Sequence, residues 1–150
     1  MRIGIFAKTF VRPTLEETLD AVAHHGIHCI QFNLATAGLS SMPAQITAQA
    51  AGRIQRELAA RGLTMSAVSG TFNMIDPDEQ RRQDGLRSLR VIAQACAAMG
   101  TSVITLCTGT RDADDMWRRH PENDTPSAWR DLLSSMQQAV TIAEDHAVTL

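Results

Sequence analysis

Four short, mainly apolar runs alternate along the chain with four longer segments in which apolar positions recur every three or four residues. The short runs predict strands, and they cover residues 3–7, 28–32, 64–69 and 102–107. Because these runs are apolar almost throughout, they indicate parallel strands that are covered on both faces. The longer segments predict one-sided amphipathic helices.

Three of the four predicted helices begin at a capping signal. The first and second helices are predicted over residues 14–25 and 44–61. The third and fourth helices are predicted to start at a polar residue that directly precedes a proline, because proline is favoured at the first helical position. The capping residues are Thr14 with Glu17 in a capping-box pattern for the first helix, Asp76 ahead of Pro77 for the third, and Thr125 ahead of Pro126 for the fourth.

A glycine separates three of the helices from the strand that follows. Gly26, Gly62 and Gly100 recur at nearly equal intervals of about one βα unit, and His146 and Ala147 occupy the corresponding place after the fourth helix. Glycine takes the left-handed conformation that ends a helix, after which the chain turns into the next strand. The repeat therefore predicts four βα units of the same construction.

The repeat predicts an α/β fold with a parallel sheet and right-handed crossovers, followed by the start of a fifth strand at residues 147–150. Two architectures fit this order. One is a small open sheet of the flavodoxin type, and the other is the first four units of an eight-stranded barrel. A half barrel leaves strand edges unpaired, so it would need the other half or a second copy.

Composition places the chain among globular proteins and excludes several functions. The 150 residues are 44% hydrophobic and 20% charged, which predicts one domain over residues 1–150. A net charge of −2 with dispersed basic residues, together with 4% aromatic residues, argues against nucleic acid as a partner. No run is long enough to span a membrane, and no secretory signal is visible.

The three cysteines do not form a CxxC motif, and they lie in apolar strands or on an apolar helix face. Cys29, Cys96 and Cys107 are therefore expected to be reduced, mostly buried thiols of a cytoplasmic protein. His24, His25 and His28 lie at a helix end, where positive charge complements the helix dipole, and they are not expected to hold a metal.

The loops after the strands are long, and those before them are short. In both candidate architectures, ligands bind at the carboxyl ends of the strands, so these long loops are the predicted functional face. Lys8 follows the first strand and is either a phosphate or carbonyl ligand or a solvated side chain. Phe72 follows the third strand, where an exposed ring could cover a sugar, although the segment also fits an ordinary turn and helix cap.

The loop after the fourth strand is the longest. Thr108 offers hydroxyl and backbone donors, Arg111 offers a guanidinium fork, and Trp117 and His120 form a lid-like pair. The alternative is a solvated loop that Thr125 caps. No dinucleotide, P-loop or serine-hydrolase motif occurs in the sequence.

Three motifs resemble the sugar phosphate isomerase/epimerase family, which belongs to the xylose isomerase-like TIM-barrel superfamily. They are VSGTFN at residues 68–73, LCTGTRD at residues 106–112 and the MW, HP and AW pattern at residues 116–129. The resemblance covers essentially the whole chain, as the first four βα units of a barrel about twice as long.

The resemblance implies a metal-dependent isomerase or epimerase that moves a proton next to the carbonyl of a small sugar or polyol. It implies a divalent cation, Mn, Mg, Co or Zn, whose ligands come from strands 5 to 8 and therefore lie outside this chain. No catalytic residue or metal ligand is assigned here. The early loops are expected to line the substrate site through Lys8, Asn33, Phe72, Thr108, Arg111, Trp117 and His120.

Two other functions stay open at this point. One is an apurinic endonuclease-like phosphodiesterase of the same superfamily, which the acidic charge and the absence of histidines at the early strand ends disfavour. The other is a non-catalytic α/β module that binds a small polar ligand. A homo-oligomer is expected, because exposed sheet edges favour self-association.

Overall fold

The computed structural model describes residues 3–150, and within them four strands form one parallel sheet in the order β1-β2-β3-β4. The strands are β1 Gly4–Phe6, β2 Cys29–Phe32, β3 Thr64–Ser69 and β4 Ile104–Thr105. The helices between and after them are α1 Leu15–His24, α2 Ala48–Ala60, α3 Glu79–Met99 and α4 Pro126–Asp145. The predicted repeat of four βα units is confirmed.

The strand order decides between the two predicted architectures. Each new strand is added on the same side of the sheet, whereas a flavodoxin-type sheet places its first strand between its second and third. The last residues of the chain continue the series, since Thr149 pairs in parallel with Val103 and donates its N–H to the Ser102 carbonyl at 2.7 Å. The flavodoxin alternative is therefore wrong, and the order is the one expected for the first strands of a barrel.

The helix ends follow the predicted glycine pattern. Gly26, Gly62 and Gly100 have φ angles of +69°, +64° and +87°, and each follows a helix directly or after one residue. Ala147 takes the same role with a φ of +53°, in a conformation that an alanine adopts at some energetic cost. The four helix-to-strand turns are thus built alike, although one lacks the glycine.

The helices cover one face of the sheet. Ile30, Phe32, Val68 and Ile104 on that face are completely buried, and they pack against apolar residues from the helices. The opposite face would line the interior of a barrel, and within the described residues it carries half-exposed side chains such as Gln31 and Thr105. Ala67 and Ser69 of β3 are buried on this face as well, so the predicted covering of both faces holds for these two residues but not for Gln31 and Thr105 within the described residues.

Several predicted boundaries are also corrected. The N-cap of α3 is Asp78, whose carboxylate accepts from Gln80, and Asp76 precedes it as a buried residue that accepts from the N–H of Asp78 at 2.9 Å. Pro77 consequently lies outside the helix. The second helix begins after its cap Thr47 rather than at residue 44. The capping box of α1 and the Thr125 cap of α4 are confirmed.

The outer strands are shorter than predicted. β1 ends at Phe6, and Ala7–Thr9 forms a 3-10 turn; β4 holds ladder pairing with β3 only over Ile104–Thr105. No helix within residues 3–150 is both long enough and apolar enough to cross a membrane.

Candidate functional site

All four strands end at the same edge of the sheet, and the loops that follow them lie together there. The loop of residues 106–125 is the longest, and short 3-10 turns at Ala7–Thr9 and Leu34–Ala37 follow the first two strands. The loops at the opposite edge are short. The predicted asymmetry between the two edges is confirmed, and the candidate site is the edge with the long loops.

A row of side chains lies on the inner face of the sheet next to this edge, and we call Phe6, Gln31, Ser69 and Thr105 the inner row. Pairing of Phe6 with Gln31 and of Ser69 with Thr105 places them on the face opposite the buried Ile30 and Val68. The amide of Gln31 reaches past β3 and donates to the Thr105 hydroxyl at 2.7 Å. The half-exposed Gln31 amide and Thr105 hydroxyl are groups of the kind that binds polyols, whereas Ser69 is buried and its hydroxyl pairs with the Thr71 hydroxyl at 3.1 Å.

The inner row was not predicted as part of the site. Gln31, Ser69 and Thr105 are the polar exceptions within strands whose pattern indicated burial on both faces. Each of them is a single residue in a different strand, so the sequence contains no alternating series that would mark an accessible face.

Asn73 fixes the loop after β3 to the loop after β4. Its side-chain amide donates to the Thr110 carbonyl at 2.7 Å and its oxygen accepts from the Thr110 N–H at 2.9 Å, which reproduces the pairing of two backbone peptides. Gly109 lies against this pair with a φ of +81°, and a Cβ there would come within 2.7 Å of the Asn73 Cγ. The two loops therefore have one defined relative position.

The loop after β4 is held together by its own polar groups. The buried Thr110 hydroxyl donates to the Arg118 carbonyl at 2.7 Å, and Asn123 accepts from the Arg111 N–H at 2.7 Å. Asp112 accepts from the N–H groups of Asp115 and Asp114, and these bonds, with Arg118 nearby, hold the pKa of its carboxyl below the ordinary value. The loop after β4 therefore has a defined structure and is more than a solvated loop with a cap at Thr125.

Arg111 was predicted to offer its guanidinium to a substrate, and the structure places it inside the protein instead. Its side chain is 8% exposed, pairs with Asp131 of α4 at 2.6 Å and donates to the Ile75 carbonyl at 3.2 Å. A guanidinium held on two sides in this way fixes the loop to α4.

Phe72 was predicted as an exposed ring, and this prediction is wrong. The residue is 7% exposed, and its ring lies directly over Gly85 in α3. Asn33 is also buried, and its side-chain oxygen accepts from the Ala35 N–H and the Ser41 hydroxyl, both at 3.0 Å. Both residues shape the loops from inside.

The other predicted site residues are accessible at the same edge. Thr108 is exposed, and Trp117 is 72% exposed. His120 caps the 3-10 turn at Pro121–Asp124, because its Nδ1 accepts from the Glu122 N–H at 3.3 Å. Lys8 is exposed and lines a cavity of about 400 Å³ between the loops after β1 and β2.

The described residues do not fit a divalent cation. Within residues 3–150, no group of three or more histidine, cysteine, aspartate or glutamate side chains is placed to hold a metal ion. At the strand ends, Cys107 donates its thiol to the Phe72 carbonyl at 3.4 Å, and burial raises the pKa of this thiol, which disfavours the thiolate that binds metal.

Comparison with known proteins identifies relatives of this fold. A family model described as a xylose isomerase-like TIM barrel matches residues 19–150. No curated protein sequence matches significantly.

Solved structures superpose over nearly the whole chain. They include the 3-keto-D-glucoside 4-epimerase YcjR from E. coli (17% identity, TM-score 0.72, 99% of this chain and 54% of that one). D-psicose 3-epimerase from Clostridium cellulolyticum H10 follows (14% identity, TM-score 0.71, 99% and 50%). A sugar phosphate isomerase/epimerase from Parabacteroides distasonis is also similar (11% identity, TM-score 0.61, 98% and 49%). The chain spans about half the length of these proteins.

Proposed function

Because the chain belongs to the xylose isomerase-like TIM-barrel family, we propose that it forms part of a sugar isomerase or epimerase. The reaction is a proton transfer at a carbon next to the carbonyl of a small sugar or polyol-like substrate. The structures named above include a 3-keto-D-glucoside 4-epimerase and a D-psicose 3-epimerase, and their likeness supports this reaction class.

The observation that carries the proposal is the inner row. Its amide and hydroxyl groups lie at the carboxyl edge of a parallel sheet, where barrel enzymes bind their substrates. The Gln31 amide and the Thr105 hydroxyl already hydrogen-bond each other, so a sugar hydroxyl can insert between them or bind their remaining donors and acceptors. In this proposal the row holds and orients the sugar.

The row supplies no group suited to remove a proton from carbon. Amides and neutral hydroxyls are weak bases, and the thiol of Cys107 has a raised pKa. In this proposal the carboxylates for proton transfer and the ligands of the expected divalent cation belong to the later strands of a full-length barrel. We therefore derive no catalytic step through a metal from this chain.

The test is an isotope-exchange assay with the full-length gene product. The protein is incubated in D₂O with a panel of aldoses, ketoses and their phosphates, each with Mn, Mg, Co or Zn. Proton NMR then measures loss of signal at the carbon next to the carbonyl. We expect exchange and a new isomer for at least one substrate, and the absence of both across the panel would refute the proposal.

A variant of the inner row tests the role of this chain. Gln31→Met keeps the length of the side chain and removes its hydrogen bonds, and we expect kcat/KM to fall about tenfold with the fold intact. Thr64→Val is the matched control. Thr64 lies on the same face of the sheet as Gln31, but at the opposite edge. Equal effects of both substitutions would exclude the inner row from substrate binding.

A further inference from the structure

A cavity lies between the loops after β1 and β2, and it is separate from the inner row. Its volume is about 400 Å³, which is within the usual range of small-molecule sites. The 3-10 turns Ala7–Thr9 and Leu34–Ala37 contribute to its walls, together with the start of α1 and Arg53 of α2. No residue of the inner row lines the cavity, so its occupant would be distinct from a sugar held at the inner row.

Positive charge is concentrated in this cavity. Lys8, Arg12 and Arg53 line it, and within residues 3–150 no aspartate or glutamate does. Arg53 pairs with Glu16 at 2.6 Å, and this pair is electrically neutral as a whole. Two positive charges therefore remain in the cavity, those of Lys8 and Arg12.

Most other basic side chains of the described structure have an acidic partner. Within residues 3–150, the lysine and arginine side chains with no carboxylate within 4.0 Å are Lys8, Arg12, Arg56 and Arg130. Two of these side chains thus lie in the same cavity, although the chain has a net charge of −2. Lys8 and Arg12 are both exposed, and Arg12 donates only to the Val11 carbonyl at 2.8 Å within the described residues.

The rest of the lining is largely apolar, and its hydroxyls are already in use. The apolar residues are Phe10, Val11, Pro13, Leu15, Ala35 and Ala37. The Thr14 hydroxyl belongs to the capping box of α1, and the Thr18 hydroxyl donates to the Thr14 carbonyl at 3.0 Å. A ligand would therefore find its polar partners at the basic side chains and apolar contacts along the remaining wall.

From these observations we propose that the cavity binds a short dicarboxylate, an organic acid with two carboxylates on an apolar carbon chain. Two carboxylates match the two unpaired positive charges, and each can form charge-assisted hydrogen bonds with a guanidinium or ammonium group. The carbon chain covers the apolar wall, which inorganic phosphate would leave exposed. The inference does not rest on the proposed function, because no residue of the inner row takes part in it.

Lys8 provides a specific probe for the test, because it is the only lysine in the chain. Reductive methylation with ¹³C-formaldehyde labels its side chain and the N-terminal amine, and it keeps the positive charge. Methyl NMR of the 150-residue chain then follows titrations with glutarate, butyrate, inorganic phosphate and the neutral analogue glutaramide. We expect glutarate to shift the Lys8 signal and to bind about tenfold more tightly than butyrate or phosphate, the effect of one additional charge-assisted contact.

The comparison ligands also define the results that would overturn the proposal. Butyrate or inorganic phosphate that binds as tightly as glutarate would show that the cavity does not select a dicarboxylate. A shift of the Lys8 signal by glutaramide as large as that by glutarate would show that charge plays no part. Neither readout depends on isomerase activity, so the two proposals fail independently.

Charge variants distinguish a site from general attraction, with glutarate binding measured by isothermal titration calorimetry. We expect Lys8→Gln and Arg12→Ala each to weaken glutarate binding about tenfold, because each removes one charge-assisted contact. Arg130→Ala is the matched control, since Arg130 is an exposed arginine without a carboxylate partner in the described residues and does not line the cavity. Equal weakening by all three variants would refute the proposal.

Discussion

Gly85→Ala tests where the ring of Phe72 lies. Gly85 is buried within α3, and a Cβ at this position would come within 2.5 Å of the Phe72 Cγ and 2.8 Å of its Cε2. These distances are well inside carbon–carbon contact, so the ring or the helix must move. If the ring instead covered a substrate, Gly85 would have room for a methyl group.

The magnitude follows from two opposing effects. Alanine is favoured over glycine in a helix interior by about 1 kcal/mol. Overpacking a filled core costs about 1–3 kcal/mol, and overlap with several ring atoms places this site at about 3 kcal/mol. The expected net effect is a loss of about 2 kcal/mol in the free energy of unfolding.

Gly52 provides the matched control, because it also lies within a helix. A Cβ there would meet only the end of the flexible Arg56 side chain, at 3.2 Å. Gly52→Ala should therefore raise the free energy of unfolding by about 0.5–1 kcal/mol. The two glycine substitutions are thus expected to have opposite signs.

Urea unfolding followed by circular dichroism measures both variants. With an m-value of about 2 kcal/mol per molar, Gly85→Ala should lower the midpoint by about 1 M and Gly52→Ala should raise it slightly. In a Phe72→Leu background, Gly85→Ala should cost at least about 1 kcal/mol less, because the smaller side chain yields space. A stabilising Gly85→Ala in the wild-type background would refute the described packing of Phe72.

Other contacts predict effects of known direction. Asn73→Ala removes the hydrogen-bond partners of the N–H and the carbonyl of the buried Thr110. Urea titration should therefore show a loss of about 3 kcal/mol in the free energy of unfolding. Arg111→Ala removes the ion pair with Asp131, and thermal unfolding should show a loss of about 2 kcal/mol in the free energy of unfolding. Burial raises the pKa of Cys96 to about 11, so iodoacetamide at pH 8 should label it only as the protein unfolds. Backbone N–H donors lower the pKa of Asp112. The stability that this carboxylate contributes is therefore complete above its ordinary pKa of 3.8, and it is lost as the pH falls through the lowered pKa. Asp112→Asn should flatten this loss of stability in an acid titration.

Each of these predictions has a result that contradicts it. An Asn73→Ala variant of unchanged stability would mean that the two loops do not depend on this pairing. Arg111→Ala with native stability would support the earlier expectation that its guanidinium serves a ligand. Labelling of Cys96 as fast in the native as in the denatured protein would contradict its burial. An identical acid titration for Asp112→Asn would assign the decline to other carboxylates.

The predicted repeat of βα units came from local patterns, which fix the turns but leave two architectures open. Gly26, Gly62 and Gly100 mark turns whose left-handed backbone has few alternatives, so these boundaries were predictable. The start of α3 was not, because Asp76 and Asp78 are equally good caps by type and only the burial of Asp76 decides between them. Chain order within the sheet likewise had to come from the structure.

The candidate site was predictable by position and less so by residue. The predicted difference in loop length between the two edges is confirmed, and Thr108 and Trp117 are accessible at the edge with the long loops. Arg111 and Phe72 have side chains that serve a ligand or a core equally well, and contacts distant in sequence decide between these roles. Gln31 was missed because an isolated polar residue in an apolar strand says little until the covered face is known.

The buried polar contacts have a functional consequence under the proposed reaction. The Asn73 pairing, the Arg111–Asp131 pair and a hydrogen bond from Ser135 to the Met74 carbonyl at 2.7 Å all fix loops to one another or to α4. A wall that is already rigid loses little entropy when it binds a sugar, and it holds the reacting carbon at a constant distance from groups elsewhere in the barrel. Residues such as Asn73 should therefore affect the rate of the reaction through position, although they never touch the substrate.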